Sequence, residues 1–282
     1  MTRPAHRAFD PSLLILPAFA LLILLFVVPL VWFFVGVLAE EGSVAAVVER
    51  FVDVLSAPGI VNALVATNWI SALVTALTLL IGYPIAYYLA NSTGWRFSLV
   101  LFCIIVPYFT SVIVRTYSWM VLLGRNGAIN QTLLSLGMID APLQLLYNKM
   151  GVLIGMTYVL MPYMVLTLYA TMRAIDTNLV RAAYGLGASP LYTFRKVYLP
   201  LSLHGVISGA LIVFILAIGF FITPALMGGP SDVMIAMLIE RAVEITLDWT
   251  SAAIMSMALL AMTLVLYVIY YRVTDVRRMM GA

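Results

Sequence analysis

Residues 181–200 read RAAYGLGASPLYTFRKVYLP and stand between two strongly apolar stretches. Arg181, Arg195 and Lys196 are gathered there with Gly185, Gly187, Pro190 and Pro200. The surroundings decide how the segment is read. Of the 282 residues, 64% are hydrophobic and 10% are charged, whereas soluble domains carry about a quarter charged residues. So few charges cannot cover a fold of this length in water. The reading is a membrane protein, and 181–200 is a polar connection between membrane segments.

A helix needs about 20 apolar residues to cross the hydrocarbon core. Six stretches qualify: 12–38, 69–90, 97–122, 151–172, 201–226 and 251–271. The first is longer than the core of a cleaved signal and has no clear small-x-small cleavage site, so it reads as a retained span. The expectation is one all-α polytopic membrane domain, 1–282, with six transmembrane helices. Pro84, Pro107, Pro162 and Pro224 fall within the spans. Each removes a backbone donor and can kink a helix, which suits a passage but is also common in membrane helices generally.

If the chain alternates, Arg3, Arg7, Arg96, Arg173, Arg181, Arg195, Lys196, Arg272, Arg277 and Arg278 share one side. The other side holds Arg50, Arg125, Lys149 and Arg241 with Glu40, Glu41, Glu49, Asp53, Asp140, Asp232, Glu240, Glu244 and Asp248. The positive-inside rule then places the N- and C-termini, and the segment 173–200, in the cytoplasm.

Several classes lose support. Neither Lys149 nor Lys196 follows the glycine pattern of a phosphate-binding loop. Cys103 is the single cysteine, which excludes an internal disulfide, and His6 and His204 make no recognisable metal site with it. No basic tract suggests nucleic acid. A membrane enzyme needs convergent histidines, acids or cysteines, and none is evident. A secondary transporter working without ATP often carries acids inside its spans; these spans are nearly free of them.

Asp176 or Thr177 can cap a helix that opens the segment 173–200. Leu179, Ala182 or Ala183, and Leu186 recur at helical spacing and make one apolar face. Gly187 can end that helix in a left-handed conformation, and Ser189 with Pro190 reads as a new cap and first turn. A second short helix then carries Tyr192, Phe194, Arg195 and Lys196, before Pro200 opens the fifth span. Ala182, Ala183 and Gly185 are small enough to let another surface approach the backbone. Tyr184 and Leu186 could fill a socket, and Arg195 and Lys196 could face acidic groups or anionic lipid. On the residues alone, docking on a partner and resting on headgroups both stand.

The segment resembles the cytoplasmic loop of permease subunits in binding-protein-dependent ABC importers. That pattern is Glu-Ala-Ala, three residues, Gly, nine residues, then Ile-x-Leu-Pro. Ala182 and Ala183 take the alanine places, Gly187 the glycine, and Leu199 with Pro200 the closing pair; Val197 stands for isoleucine, and Arg181 reverses the charge of the glutamate. VRTYSWMVLLGRNGAINQTLLSLGMI (114–139), YNKMGVLIGMTYVLMPYMVLTLYATMRAID (147–176) and LIVFILAIGFFITPALMGGP (211–230) are similar to the first of the two paired permeases of spermidine/putrescine-type importers. The resemblance implies a type I ABC importer permease fold in the bacterial plasma (inner) membrane. It implies a second homologous permease subunit, two ATPase subunits carrying ATP and Mg2+, and an extracytoplasmic solute-binding protein. This chain would bind no cofactor itself and contribute half the path. The coupling segment would seat Arg181, Ala182, Ala183, Tyr184, Gly185, Leu186, Gly187, Arg195 and Lys196 against an ATPase. The implied solute is a small organic cation, spermidine or putrescine, although similar permeases carry amino-acid derivatives or iron complexes.

Path residues are less marked. Arg115, beside Tyr117 and Trp119, is costly in a span unless it is paired, hydrated or snorkelling. Glu240, Glu244 and Asp248 recur every fourth residue and would form one acidic helix face. That face could draw a cation to the outer mouth, contact the binding protein, or simply be solvated. Tyr163 and Phe221 could line the path, since aromatic faces accommodate ammonium groups.

The topology is testable in a Cys103→Ser background. A thiol placed at Ser92 should be labelled only from the cytoplasm, and one at Ser56 only from outside. Labelling of both from one side would rule out the alternation.

Overall fold

The computed structural model describes residues 15–39 and 42–273, and among them all regular structure is helical. Arg3, Arg7, Glu40, Glu41, Arg277 and Arg278, the first residues of the predicted 12–38 span and both termini lie outside the described residues. In chain order the helices are α1 (Leu16–Ala39), α2 (Val44–Ser56), α3 (Pro58–Asn91), α4 (Gly94–Ile105), α5 (Val112–Leu123) and α6 (Ala128–Ser135). They continue as α7 (Lys149–Arg173), α8 (Thr177–Gly185), α9 (Pro190–Ile218), α10 (Ile222–Met227), α11 (Ile235–Arg241) and α12 (Trp249–Val273).

Five helices, α1, α3, α7, α9 and α12, are long and apolar enough to cross a membrane, and a bent pair makes up to six. The sixth departs from the sequence reading. The stretch 97–122 is not one helix: Gly94–Phe109 and Val112–Ser135 meet at 107°. Pro107 has no N–H to donate. Thr110 is extended, and both its N–H (3.2 Å) and its hydroxyl (2.7 Å) turn back to the Pro107 carbonyl. These bonds satisfy groups that hydrocarbon would leave unpaired.

The fifth span also differs at both ends. Its helix starts at Pro190, behind the Ser189 cap, instead of at 201. It passes Pro200 because Phe194–Tyr198 form one π-turn, in which the Leu199 N–H bonds the Phe194 carbonyl. Pro200 cannot donate in the helix, and the wider turn before it absorbs the clash of its ring. At the far end the helix stops at Ile218, a turn follows, and α10 resumes at Ile222. Helix α3 begins eleven residues before the predicted 69; its 34 residues make it about 51 Å long, so it projects beyond the ~30 Å core.

The core is the bundle of α3, α7 and α9, closed by Ile70, Val74, Met156, Leu160, Met164 and Val213. Small residues set the spacing. A Cβ on Gly205 would sit 2.7 Å from Thr171 of α7. At one end of the bundle Arg173 donates to the Ala90 carbonyl at 3.0 Å, placing a cation on the C-terminal pole of α3. At the opposite end α2, α11 and α12 gather around Val54, Ala63, Ile235 and Ile254, and Thr67 of α3 accepts the Ile235 N–H at 2.8 Å. These are called below the basic and acidic ends. Helix α1 is nearly bare, with Trp32 80% exposed; Phe33 meets Trp249 of α12 edge-on at 6.3 Å.

Gly205→Leu should lower the thermal midpoint of the purified complex, because an overpacked helix contact costs about 1–3 kcal/mol. Gly59→Ala, where nothing lies within 4 Å, should not.

Candidate functional site

At the basic end, Asp176 opens α8 by accepting the Asn178 N–H at 2.9 Å. The helix closes at Gly187, whose φ is +83°. There the Gly187 N–H reaches the Tyr184 carbonyl (2.9 Å) and the Ala188 N–H reaches Ala183 (3.1 Å). Glycine suits this turn because a Cβ is disfavoured at positive φ. Ser189 then accepts the Tyr192 N–H at 3.3 Å and starts α9.

The two faces of this helix–turn–helix differ. Ile175, Val180 and Phe194 pack against the core, with Ala183 half-buried. Leu179, Arg181, Ala182, Tyr184, Gly185 and Gly187 are exposed, as are Arg195 and Lys196. Leu186 is 90% exposed at the tip of the turn. The sequence treats Ala182 and Ala183 as equivalent; the helix turns one outward and the other partly inward. Among the described residues no acid pairs with Arg181, Arg195 or Lys196.

At the acidic end, Phe221, Glu240 and Glu244 line one cleft of about 410 Å³, with Gly219, Ala236 and Leu259 among its walls. Asp248 does not join the expected acidic face. Residues Ala242–Thr246 form a π-turn and Leu247 is left-handed (φ 53°), so the every-fourth-residue alignment ends. Asp248 instead caps α12, accepting the Ser251 N–H at 2.9 Å, and pairs with Arg50 at 3.3 Å. Burial pushes its carboxyl up, but the Ser251 side chain, the Ser251 backbone and the Arg50 charge together outweigh burial and hold it below the usual carboxylate range.

Arg115 is 9% exposed, and its Nε has no partner. Among the described residues it forms no ion pair. It lies close enough to Tyr163 to act on it electrostatically, and Tyr163 meets Tyr108 edge-to-face at 5.6 Å. Trp119 packs on Tyr158 at 5.3 Å and lines an apolar groove between α3 and α7, whereas Tyr117 is exposed. Tyr163 is not part of the Phe221 cleft. Sequence reading missed Asn130, which is fully buried. Its side chain bonds the Leu143 N–H (2.8 Å) and carbonyl (3.0 Å) and pins the loop after α6.

Residues 79–277 match the family model described as binding-protein-dependent transport system inner membrane component. This chain belongs to that family. The permease is 36% identical over 198 residues to the spermidine/putrescine transport system permease protein PotB of Escherichia coli (strain K12), covering 70% of this chain and 72% of the relative. It is 34% identical over 202 residues to PotB of Haemophilus influenzae, covering 72% and 71%. Among solved structures, the bacterial alginate ABC transporter in complex with an alginate pentasaccharide-bound periplasmic protein has a chain that matches with a TM-score of 0.73. The identity is 15%, over 96% of this permease and 95% of that chain. The MetNI methionine ABC transporter matches at a TM-score of 0.58 and 16% identity, over 78% and 98%. The fold is the type I ABC importer permease fold, and the permease is a multi-pass transport subunit of the bacterial inner membrane.

Asp248→Ala should cost about 1 kcal/mol, mostly through the lost cap, whereas Asp248→Asn, which can still accept the Ser251 N–H, should lose only the smaller part that depends on the charge. Because the folded-state carboxyl titrates below its unfolded value, its contribution is complete above about pH 4 and fades as pH falls through the depressed value. Thermal unfolding across pH should show the wild-type and Asp248→Asn midpoints converging in acid.

Proposed function

We propose that this permease forms half of the path of an ATP-driven importer for a small organic cation, spermidine or putrescine. The observation that carries the transport reading is Leu186, an almost fully exposed apolar knob on a turn whose other face is packed into the bundle. With Leu179, Tyr184, Leu191 and Tyr192 also exposed on the same segment, Leu186 suits a socket on a soluble partner better than water. The partner set is a second homologous permease, two ATPase subunits holding ATP and Mg2+ at the basic, cytoplasmic end, a solute-binding protein at the acidic, outer end, and surrounding lipid. Both termini would be cytoplasmic. The permease has no catalytic residue in this scheme; the solute crosses unchanged.

The named PotB relatives support a polyamine solute, and the acidic-end cleft agrees with it. An ammonium group can lie against the Phe221 ring while Glu240 and Glu244 make the local potential negative. ATPase closure would push on Leu186 and its neighbours and swing the bundle between outward and inward access. Arg181, in the place of the family's glutamate, calls for an acidic or neutral ATPase surface.

Uptake of radiolabelled spermidine by the full assembly should be competed by putrescine and not by amino acids or iron chelates; the reverse result would reassign the solute and leave the importer class intact. Glu240→Gln combined with Glu244→Gln should raise the half-saturation concentration about fivefold at low ionic strength, and less at high salt. Leu186→Glu should strip the ATPase subunit from the purified complex. Gly187→Val should weaken attachment through the backbone, at roughly 1–2 kcal/mol for a left-handed β-branched residue, since no atom crowds that position.

A further inference from the structure

Behind the exposed turn lies a set of contacts that the docking surface does not use. Tyr83 and Tyr87 are one turn apart on α3; Phe194, Tyr198 and Ser202 follow at the same spacing on α9. Tyr87 meets two rings edge-to-face, 5.9 Å from Phe194 at 88° and 4.9 Å from Tyr198 at 81°. Tyr83 meets Phe194 at 6.1 Å and 88°, and its hydroxyl bonds the Ser202 hydroxyl at 2.8 Å. Phe194 and Tyr198 stack on each other at 6.2 Å with planes 16° apart. The two rows interdigitate as ridges at four-residue spacing do.

The location gives this cluster its meaning. Phe194 and Tyr198 are the first and last residues of the π-turn that joins the start of α9 to its membrane portion. Single π-turns are weak points in a helix, frequently found at functional sites. A push on the turn at Leu186 would therefore bend α9 at 194–198 unless something braced it. The brace is α3, the longest helix of the bundle, through rings whose near-perpendicular contacts are each worth about 0.5–1.5 kcal/mol beyond burial.

We propose that Tyr83, Tyr87, Phe194 and Tyr198 form a rigid aromatic joint that passes displacement of the coupling segment into α3, with Tyr87 as the central positioning residue. This rests on the reading of residues 177–198 as an ATPase-docking surface. The rings that Tyr87 touches there, Phe194 and Tyr198, pack into the bundle and are not among the exposed residues proposed to meet the ATPase, so loss of the joint uncouples the ATPase without releasing it.

The test uses the complete importer in proteoliposomes, with its binding protein and solute. Tyr87→Ala should retain the ATPase at wild-type stoichiometry and keep basal ATP hydrolysis. Stimulation by the loaded binding protein, and uptake, should fall about tenfold, a typical size for coupling between sites. Tyr87→Phe, which keeps the ring, should restore both. Phe194→Leu, which keeps apolar volume from the opposite side, should show the same split between attachment and stimulation and serves if Tyr87→Ala does not fold. Full stimulation in Tyr87→Ala or in Phe194→Leu would overturn the joint, as would loss of the ATPase from a folded Tyr87→Ala complex. Leu186→Glu, run in parallel, separates the two ideas: if it keeps the ATPase, the docking reading fails whatever Tyr87 does.

Discussion

Hydrocarbon offers no partner to a backbone N–H or carbonyl, so each such group at membrane depth must be satisfied within the protein. Helices do this residue by residue, and every irregularity in this permease must do it another way. The break at Thr110 and Ser111 closes on the Pro107 carbonyl through both the amide and the hydroxyl of Thr110. The helix through Pro200 stays continuous because a π-turn widens just before it. Thr67 turns its hydroxyl to the buried Ile235 N–H at the mouth of the bundle. Departures from straight helices therefore sit where a side chain or a wider turn can supply the missing bond.

The same constraint separates two kinds of surface. The bundle of α3, α7 and α9 packs through glycine and small polar contacts, with Gly205 against Thr171 as the closest. Outside it, Trp32, Leu80, Phe102 and Val121 are widely exposed. In water that much bare apolar surface would be untenable; in a bilayer it is matched by lipid or by another permease. Leu186 and Leu191 are different, because they project from a polar connection at the bundle's end rather than from a span. On the proposed reading, a partner in the aqueous phase covers them.

Polar groups divide along similar lines. Arg50, Asp248 and Ser251 satisfy one another and fasten α2 to the start of α12. Glu240 and Glu244 are left facing a cleft with Phe221, free of any ion pair among the described residues. Three acids that look alike in sequence thus end in two settings, one holding helices together and two lining a cleft.

Much of this architecture was readable from local signals. Five of the apolar runs fall in helices long and apolar enough to cross a membrane, because crossing length depends on composition alone. The Asp176 cap, the left-handed Gly187 and the Ser189–Pro190 start each depend on a few neighbouring residues, and the helices obey them. What required tertiary structure was every relation between distant residues. The π-turn at Ala242–Thr246 and the left-handed Leu247 end the alignment of Asp248 with Glu240 and Glu244, and those two line a cleft with Phe221. The bend of 107° after Pro107 divided a run that reads as one span. Tyr83 and Tyr87 carry no signal marking them as the support of Phe194 and Tyr198, more than a hundred residues away. Hydrophobicity, caps and turn preferences are properties of short segments, so the chain states them itself. Which faces meet depends on how wide each turn winds and how closely helices approach, and only the packed bundle decides that.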